Sequence, residues 1–252
     1  MTVLGSLRVY LRAKTRSPLH YVLSELLQGL FGWIPSVVGI ALRGIAYRAF
    51  LRTAGTPAIE DHVRILRPED VTLGTGVYLD YGAYLHGGPG GLHLGDGTWV
   101  MNGCRLHVFN FRDLPHAGIR IGRGTFIGEG TIMRGQGGIV VGERVLFGPG
   151  VQVLAVDHVF ADPQVPIMDQ GITAQGIQIE DGCWIGAGAI ILDGVTIGRG
   201  TCIGAGAVVT TSIPPHSVAV GAPARVIRDL VRDPMPVPTV PVHRGGMDDV
   251  TR

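Results

Sequence analysis

Apolar residues return every sixth position along most of this chain. The unit reads aliphatic residue, Gly or an acid, two variable residues, a small residue and one more. It runs as LGTGVY and LDYGAY (73–84), LGDGTW and VMNGCR (94–105), IGRGTF and IGEGTI (121–132), and VGERVL and FGPGVQ (141–152), then resumes as five units from IEDGCW to IGAGAV (179–208). Phase is kept inside every block, and neither an amphipathic helix period nor strict strand alternation describes them. Such a repeat predicts a triangular prism. Each hexad forms a short strand and a corner, its aliphatic residue points inward, and Gly supplies corner dihedrals that a Cβ would make costly. Successive coils then pair their strands in parallel and bury a continuous column of Leu, Ile and Val.

The hexad also accounts for residues that otherwise suggest chemistry. Cys104 and Cys183 occupy the small fifth position and read as core thiols. The G-x-G pair at Gly122 and Gly124 recurs six residues later at Gly128 and Gly130, so it belongs to the repeat and forms no phosphate loop.

Three interruptions break the pattern, at 86–93, 107–118 and 154–176. A loop leaving a rigid coil is where function is commonly mounted. The longest contains Asp157 and His158 and can reach a neighbouring subunit. Beyond the coil, 210–232 starts with a Pro-Pro turn and is expected to end in a short basic helix, and 233–252 reads as a flexible tail. Residues 1–55 form a separate head, and 56–209 form the coil.

Between Leu26 and Leu42 the head carries no charge, yet Pro35 and three glycines interrupt it, and a bilayer span needs about 20 predominantly apolar residues. Two short helices are expected instead, packed on the coil or lying in a membrane interface. Composition adds 40 Gly among 252 residues, with 46% hydrophobic and 16% charged, which supplies enough apolar surface to fold. Net charge is +1, but the first 52 residues hold seven basic residues against Glu25 alone. That asymmetry points to an anionic membrane surface or a partner, with no nucleic acid expected. Three scattered cysteines suit a reducing cytosol, and the first residues lack the pattern of a secretory signal. The expected location is cytoplasmic, at the inner face of the membrane where the head engages lipid.

The run DHVF, then GCWIGAGAIILDGVTIGRGTCIGAGAVVTTSIPPHSVAVGAPARVIRDL, resembles the hexapeptide-repeat acyltransferases, in particular the maltose/galactoside and polysaccharide O-acetyltransferase branch. The likeness covers roughly residues 59–230 and implies an all-β, left-handed parallel β-helix, an exception to the usual right-handed crossover. It further implies a homotrimer with active sites between adjacent coils, acetyl-CoA as donor, and a sugar hydroxyl of a cell-surface glycan or its precursor as acceptor.

Carried over residue by residue, His158 matches the family's general base, a role suited to an imidazole. Asn102 and Trp184 match acceptor-side positions. The oxyanion donor falls on the backbone at Gly186 or Ala187. Ala187, Ala205 and Thr210 would line the pantetheine groove, with Arg225 and Arg228 facing the coenzyme A phosphates. Thr211 stands where several relatives carry Lys, so one phosphate contact is missing. Asp157 is a weaker candidate for orienting the imidazole. Rival readings are N-acylation of an amino sugar, a non-catalytic scaffold, and a zinc hydratase built from His86, His93, His107, His116 and His158. No metal is expected, because these histidines sit in loops.

Overall fold

In the computed structural model, residues 14–109 and 114–236 are described. Three parallel sheets run the length of the coil. The first holds seven strands from Arg52–Thr53 to Thr196–Ile197, the second nine from Ala58–Ile59 to Arg225–Asp229, and the third seven from Arg64–Leu66 to Val208–Val209. Each coil visits the sheets in that order, so the architecture is the β-helix that the six-residue period dictates.

Every aliphatic position of the thirteen hexads, from Leu73 to Ile203, is buried. The fifth positions are buried too, and their polar members are satisfied by the next coil. Thr125 donates its hydroxyl to the Gly142 carbonyl at 3.1 Å, and the Cys104 thiol lies 3.1 Å from the Gly128 carbonyl. Burial pushes the Cys104 thiol up to about 11, which removes it as a nucleophile. The fourth position of each of the thirteen hexads has positive φ; Arg144 (φ 51) is the one among them where a side chain takes the corner that glycine fills elsewhere.

The head consists of α1 (Pro18–Phe31), α2 (Ser36–Ala46) and a short 3₁₀ turn, Tyr47–Ala49. It packs across the N-terminal end of the coil, where the first strands would otherwise present unpaired backbone groups. Gln28 closes the third sheet by donating to the Ile65 carbonyl at 3.0 Å and accepting its N–H at 2.9 Å. Arg43 is fully buried and donates to the carbonyls of Ile59, Phe31 and Ile34 at 2.7, 2.9 and 2.6 Å. Its cation thereby sits against the C-terminal end of α1, where the helix dipole favours positive charge. Gln28 and Arg43 therefore face the coil together with Leu23, Leu27 and Phe31, while Leu19, Val22, Leu26, Leu30, Trp33 and Val37 are left facing out, Leu19 at 80% and Trp33 at 64% exposure. No helix among the described residues is long and apolar enough to cross a membrane.

Two expectations are corrected. The first coil strand, Arg52–Thr53, lies inside the stretch assigned to the head. The C-terminal segment forms no helix: Arg225–Asp229 is a strand antiparallel to Ser217–Val220. The turn at Gly221–Pro223 returns the chain along the sheet edge, and the paired backbone overrides the helical propensity of ARVIRDL. Residues 237–252, most of the expected tail, lie outside the described residues.

Candidate active site

The long insertion is a knitted arm. It leaves the corner between the third and first sheets after Gln152–Leu154, and His158 pairs with Ile172 in an antiparallel ladder. A single turn of helix, α3 (Ile167–Gln170), caps the excursion. The Gln170 amide donates to the carbonyls of Asp162 and Val165, both at 2.7 Å, and accepts from the Asp162 N–H at 3.0 Å. At its foot, the N–H groups of Gln175 and Gly176 both donate to the Asp193 carboxylate. His158 is exposed on this arm, and no hydrogen bond or ion pair of its ring occurs among the described residues. Asp157 turns its carboxylate to the backbone N–H of His158, 2.8 Å away, so it does not hold the imidazole. The arm also exposes Phe160 (72%) and Met168 (84%), apolar side chains left largely uncovered by the described residues.

Most other expected site residues lie elsewhere on the prism. Asn102, Ala187 and Ala205 share the corner between the second and third sheets, a column joined by backbone bonds such as Gly130 N–H to the Asn102 carbonyl and Gly206 N–H to the Ala187 carbonyl. Asn102 stands three coils below Ala187, about 14 Å at ordinary strand spacing. Trp184 is half-exposed on the outward row of the second sheet, between Leu146 and Cys202. The Gly186 N–H is already committed to the Ile203 carbonyl at 2.7 Å, whereas the Ala187 N–H has no acceptor among the described residues. A Cβ at Gly186 would meet the Ala205 nitrogen at 2.5 Å, so this surface is as flat as a coil permits. Thr210 is exposed at the end of the third sheet. Arg225 is exposed and bonds the Ala224 carbonyl, and Arg228 is shared with Asp233 at 3.1 Å.

His158 and the Ala187–Ala205 column thus sit at different corners, separated by the third sheet. The remaining histidines do not converge either. His86 and His107 stack at 4.9 Å on the third sheet, and His93 lies on the first. No group of three metal-ligating side chains occurs among the described residues. Burial, then His86, Arg134, Lys14 and Arg105, push His107 down to about 4.

A cavity of about 570 Å³ opens on the first sheet beside the foot of the arm, lined by His116, Arg120, Gln175, Gln178 and Thr196. The outward residues that form it are spaced unevenly in sequence because the corners differ in length, so no motif announces them.

Residues 176–211 match the family described as bacterial transferase hexapeptide (six repeats). A probable acetyltransferase of Mycobacterium tuberculosis is 33% identical over 167 residues, covering 66% of this chain and 54% of its own length. Nodulation protein L of Rhizobium meliloti is 40% identical over 110 residues, 43% of this chain and 58% of its own. The chain spans about half the length of the curated relatives it matches. Among solved structures, a variant of AntD, an N-acyltransferase from Bacillus cereus in complex with dTDP and coenzyme A, aligns at TM-score 0.50 and 19% identity, over 72% of this chain and 86% of that one. At that identity the likeness shows the fold.

Proposed function

We propose that this chain, a hexapeptide-repeat protein of the bacterial transferase class, is an acetyl-CoA-dependent O-acetyltransferase of the maltose/galactoside-like branch. Its acceptor is a sugar hydroxyl of a cell-surface glycan or a precursor of one. The observation that carries the reading is the arm: a structured hairpin holds an exposed imidazole at a different corner of the coil from the Ala187 column. The acetyltransferase names of its relatives support the same reaction class.

In this mechanism the His158 imidazole takes the proton of the acceptor hydroxyl as the oxygen attacks the thioester carbonyl. The tetrahedral oxyanion receives the Ala187 N–H, since Gly186 has spent its own on the coil. Collapse breaks the C–S bond, and the imidazolium returns its proton to the departing thiolate. Trp184 and Asn102 face the acceptor, Ala205 and Thr210 the pantetheine, and Arg225 and Arg228 the coenzyme A phosphates. Because His158 and the Ala187 column occupy different corners, the complete site forms between copies of a homotrimer.

The test is free-thiol release from acetyl-CoA with a panel of neutral and amino sugars, comparing the wild type with His158→Ala. Stimulation by a hydroxyl sugar that the variant loses is the expected result. Stimulation by amino sugars alone replaces the acceptor class with an amine, and undiminished turnover in the variant removes the general base.

The head carries a second reading, peripheral attachment to the cytoplasmic face of a membrane. An outward belt of Leu19, Val22, Leu26, Trp33 and Val37, with exposed Arg48 and Arg52 nearby, fits the boundary between acyl chains and anionic headgroups. Vesicles containing phosphatidylglycerol should sediment the protein, and Trp33→Ser with Val37→Ser should release it. A wild type that stays in the supernatant, or that dimerises through this belt, defeats the membrane reading.

A further inference from the structure

The outward row of the first sheet is cationic through its lower half. Arg52, Thr72, His93 and Arg120 stand in direct register on successive coils, so Arg52 and Arg120 are about 14 Å apart and His93 lies between them. Gln178 and Thr196 continue the polar row above Val140. Two concavities follow this row and share Gly90. The lower holds about 210 Å³ between Arg16, Arg52, Glu69, Asp70, Thr72 and His93, and the upper is the cavity of about 570 Å³ that reaches the foot of the arm.

Of the two acids that line the lower concavity, Asp70 is paired, whereas Glu69 accepts through one oxygen only and its Oε2 is buried without a hydrogen-bond partner among the described residues. Asp70 pairs with Arg16 at 2.7 Å and Arg67 at 2.8 Å, and Glu69 accepts from the Thr15 hydroxyl and the Arg16 N–H. Arg52 and Arg120 form no ion pair among the described residues. His93 is pushed below its usual range by burial first, and then by Arg120 and Arg52. Two arginines without an ion-pair partner among the described residues, on either side of a histidine whose protonation they oppose and along a groove deep enough for a small molecule, suit an anion.

We propose that this groove binds a diphosphate group carried by the acyl acceptor, with Arg120 and Arg52 as its anchors and the sugar lying in the upper cavity beside the arm. The acceptor's role rests on the acyltransferase reading above; the binding does not. The groove starts where the head docks, so an acceptor attached to lipid would enter from the membrane end and present its sugar at the arm.

Titration calorimetry of the full chain with inorganic diphosphate tests the site without turnover, alongside NMR of the His93 imidazole. Diphosphate should bind, raise the His93 pKa, and lose at least tenfold in affinity with Arg120→Gln, with part of the loss restored by Arg120→Lys. The Arg52→Gln variant should weaken it in the same direction. Absence of binding, or equal affinity in Arg120→Gln at an unchanged melting temperature, overturns the proposal. Acetate binding as tightly as diphosphate also overturns it and puts a carboxylate in its place. Diphosphate binding with no thiol release for any acceptor leaves the groove standing and defeats the acyltransferase reading. Thiol release driven by neutral sugars, with no diphosphate bound, does the reverse.

Discussion

A single imidazole sets a pH limit on this fold. His107 packs against His86, Tyr84 and Phe109, and faces Arg134, Arg105 and Lys14 without an acid among them. Its folded pKa near 4 lies below the ordinary value of 6.5, so the unfolded chain binds the proton better between those limits. The stability this residue contributes is therefore complete above pH 6.5, is lost as pH falls towards 4, and changes no further below. His107→Phe keeps an aromatic in the stack and removes the proton, so its melting temperature should fall less than the wild type's between pH 7 and 4.5. His93 shifts in the same direction and leaves a residual slope. Equal losses in both proteins would exclude this origin. His158 belongs to the same scale: His158→Ala should cut thiol release about 10²-fold or more while coenzyme A binding persists, the usual contribution of a positioned base. Measuring both quantities on one preparation separates a lost base from a lost fold.

At the scale of elements, the head is held by buried polar side chains as well as by Leu23, Leu27 and Phe31, and should loosen when Arg43 is removed. Arg43→Met leaves the buried Ile59 carbonyl without the side-chain donor it has here and removes the bonds to the part-buried carbonyls of Phe31 and Ile34, and a buried unsatisfied group costs about 1–3 kcal/mol. Amide exchange over 18–46 should accelerate while that of the coil above Leu73 stays slow; protection unchanged in both would show that Arg43 does not pin the head. This element also marks the boundary of what the sequence could tell. The coil was legible because a rigid period of six puts each aliphatic residue inside, and all thirteen are buried. The orientation of the head was not, since the sequence left packing on the coil and a membrane interface both open, whereas the open strand edges beneath select Gln28 and Arg43. The strand Arg225–Asp229 was misjudged for a related reason: its partner, Ser217–Val220, supplies hydrogen bonds that composition does not reveal. The arm's position could be read from the break in the repeat, but its antiparallel pairing could not. Nor could the row of Arg52, His93 and Arg120, whose alignment depends on the length of every corner between them.

The whole molecule raises a problem that one chain does not solve. An arm at the corner of the third and first sheets holds the proposed base, and the corner of the second and third sheets holds the proposed groove, so each chain carries two half-sites facing different ways. A ring of three copies related by a rotation axis can close every pair of halves, because a heterologous contact that repeats three times leaves none unmatched. The outward row of the second sheet, where Leu146 is 45% exposed beside the acceptor-facing Trp184, offers apolar surface at the edge of such a contact. Complementation between two inactive variants follows from this geometry. His158→Ala removes the base and leaves the groove; Ala187→Trp fills the groove and leaves the base. If each site joins one copy's arm to the next copy's groove, trimers assembled at random from equal amounts of the two regain roughly a quarter of the wild-type sites, since one neighbouring pair in four combines both intact halves. If each arm instead folds back on its own chain, every site carries one lesion and the mixture stays inactive. Co-expression followed by thiol release reads the difference, and light scattering on the same sample checks that three chains assemble.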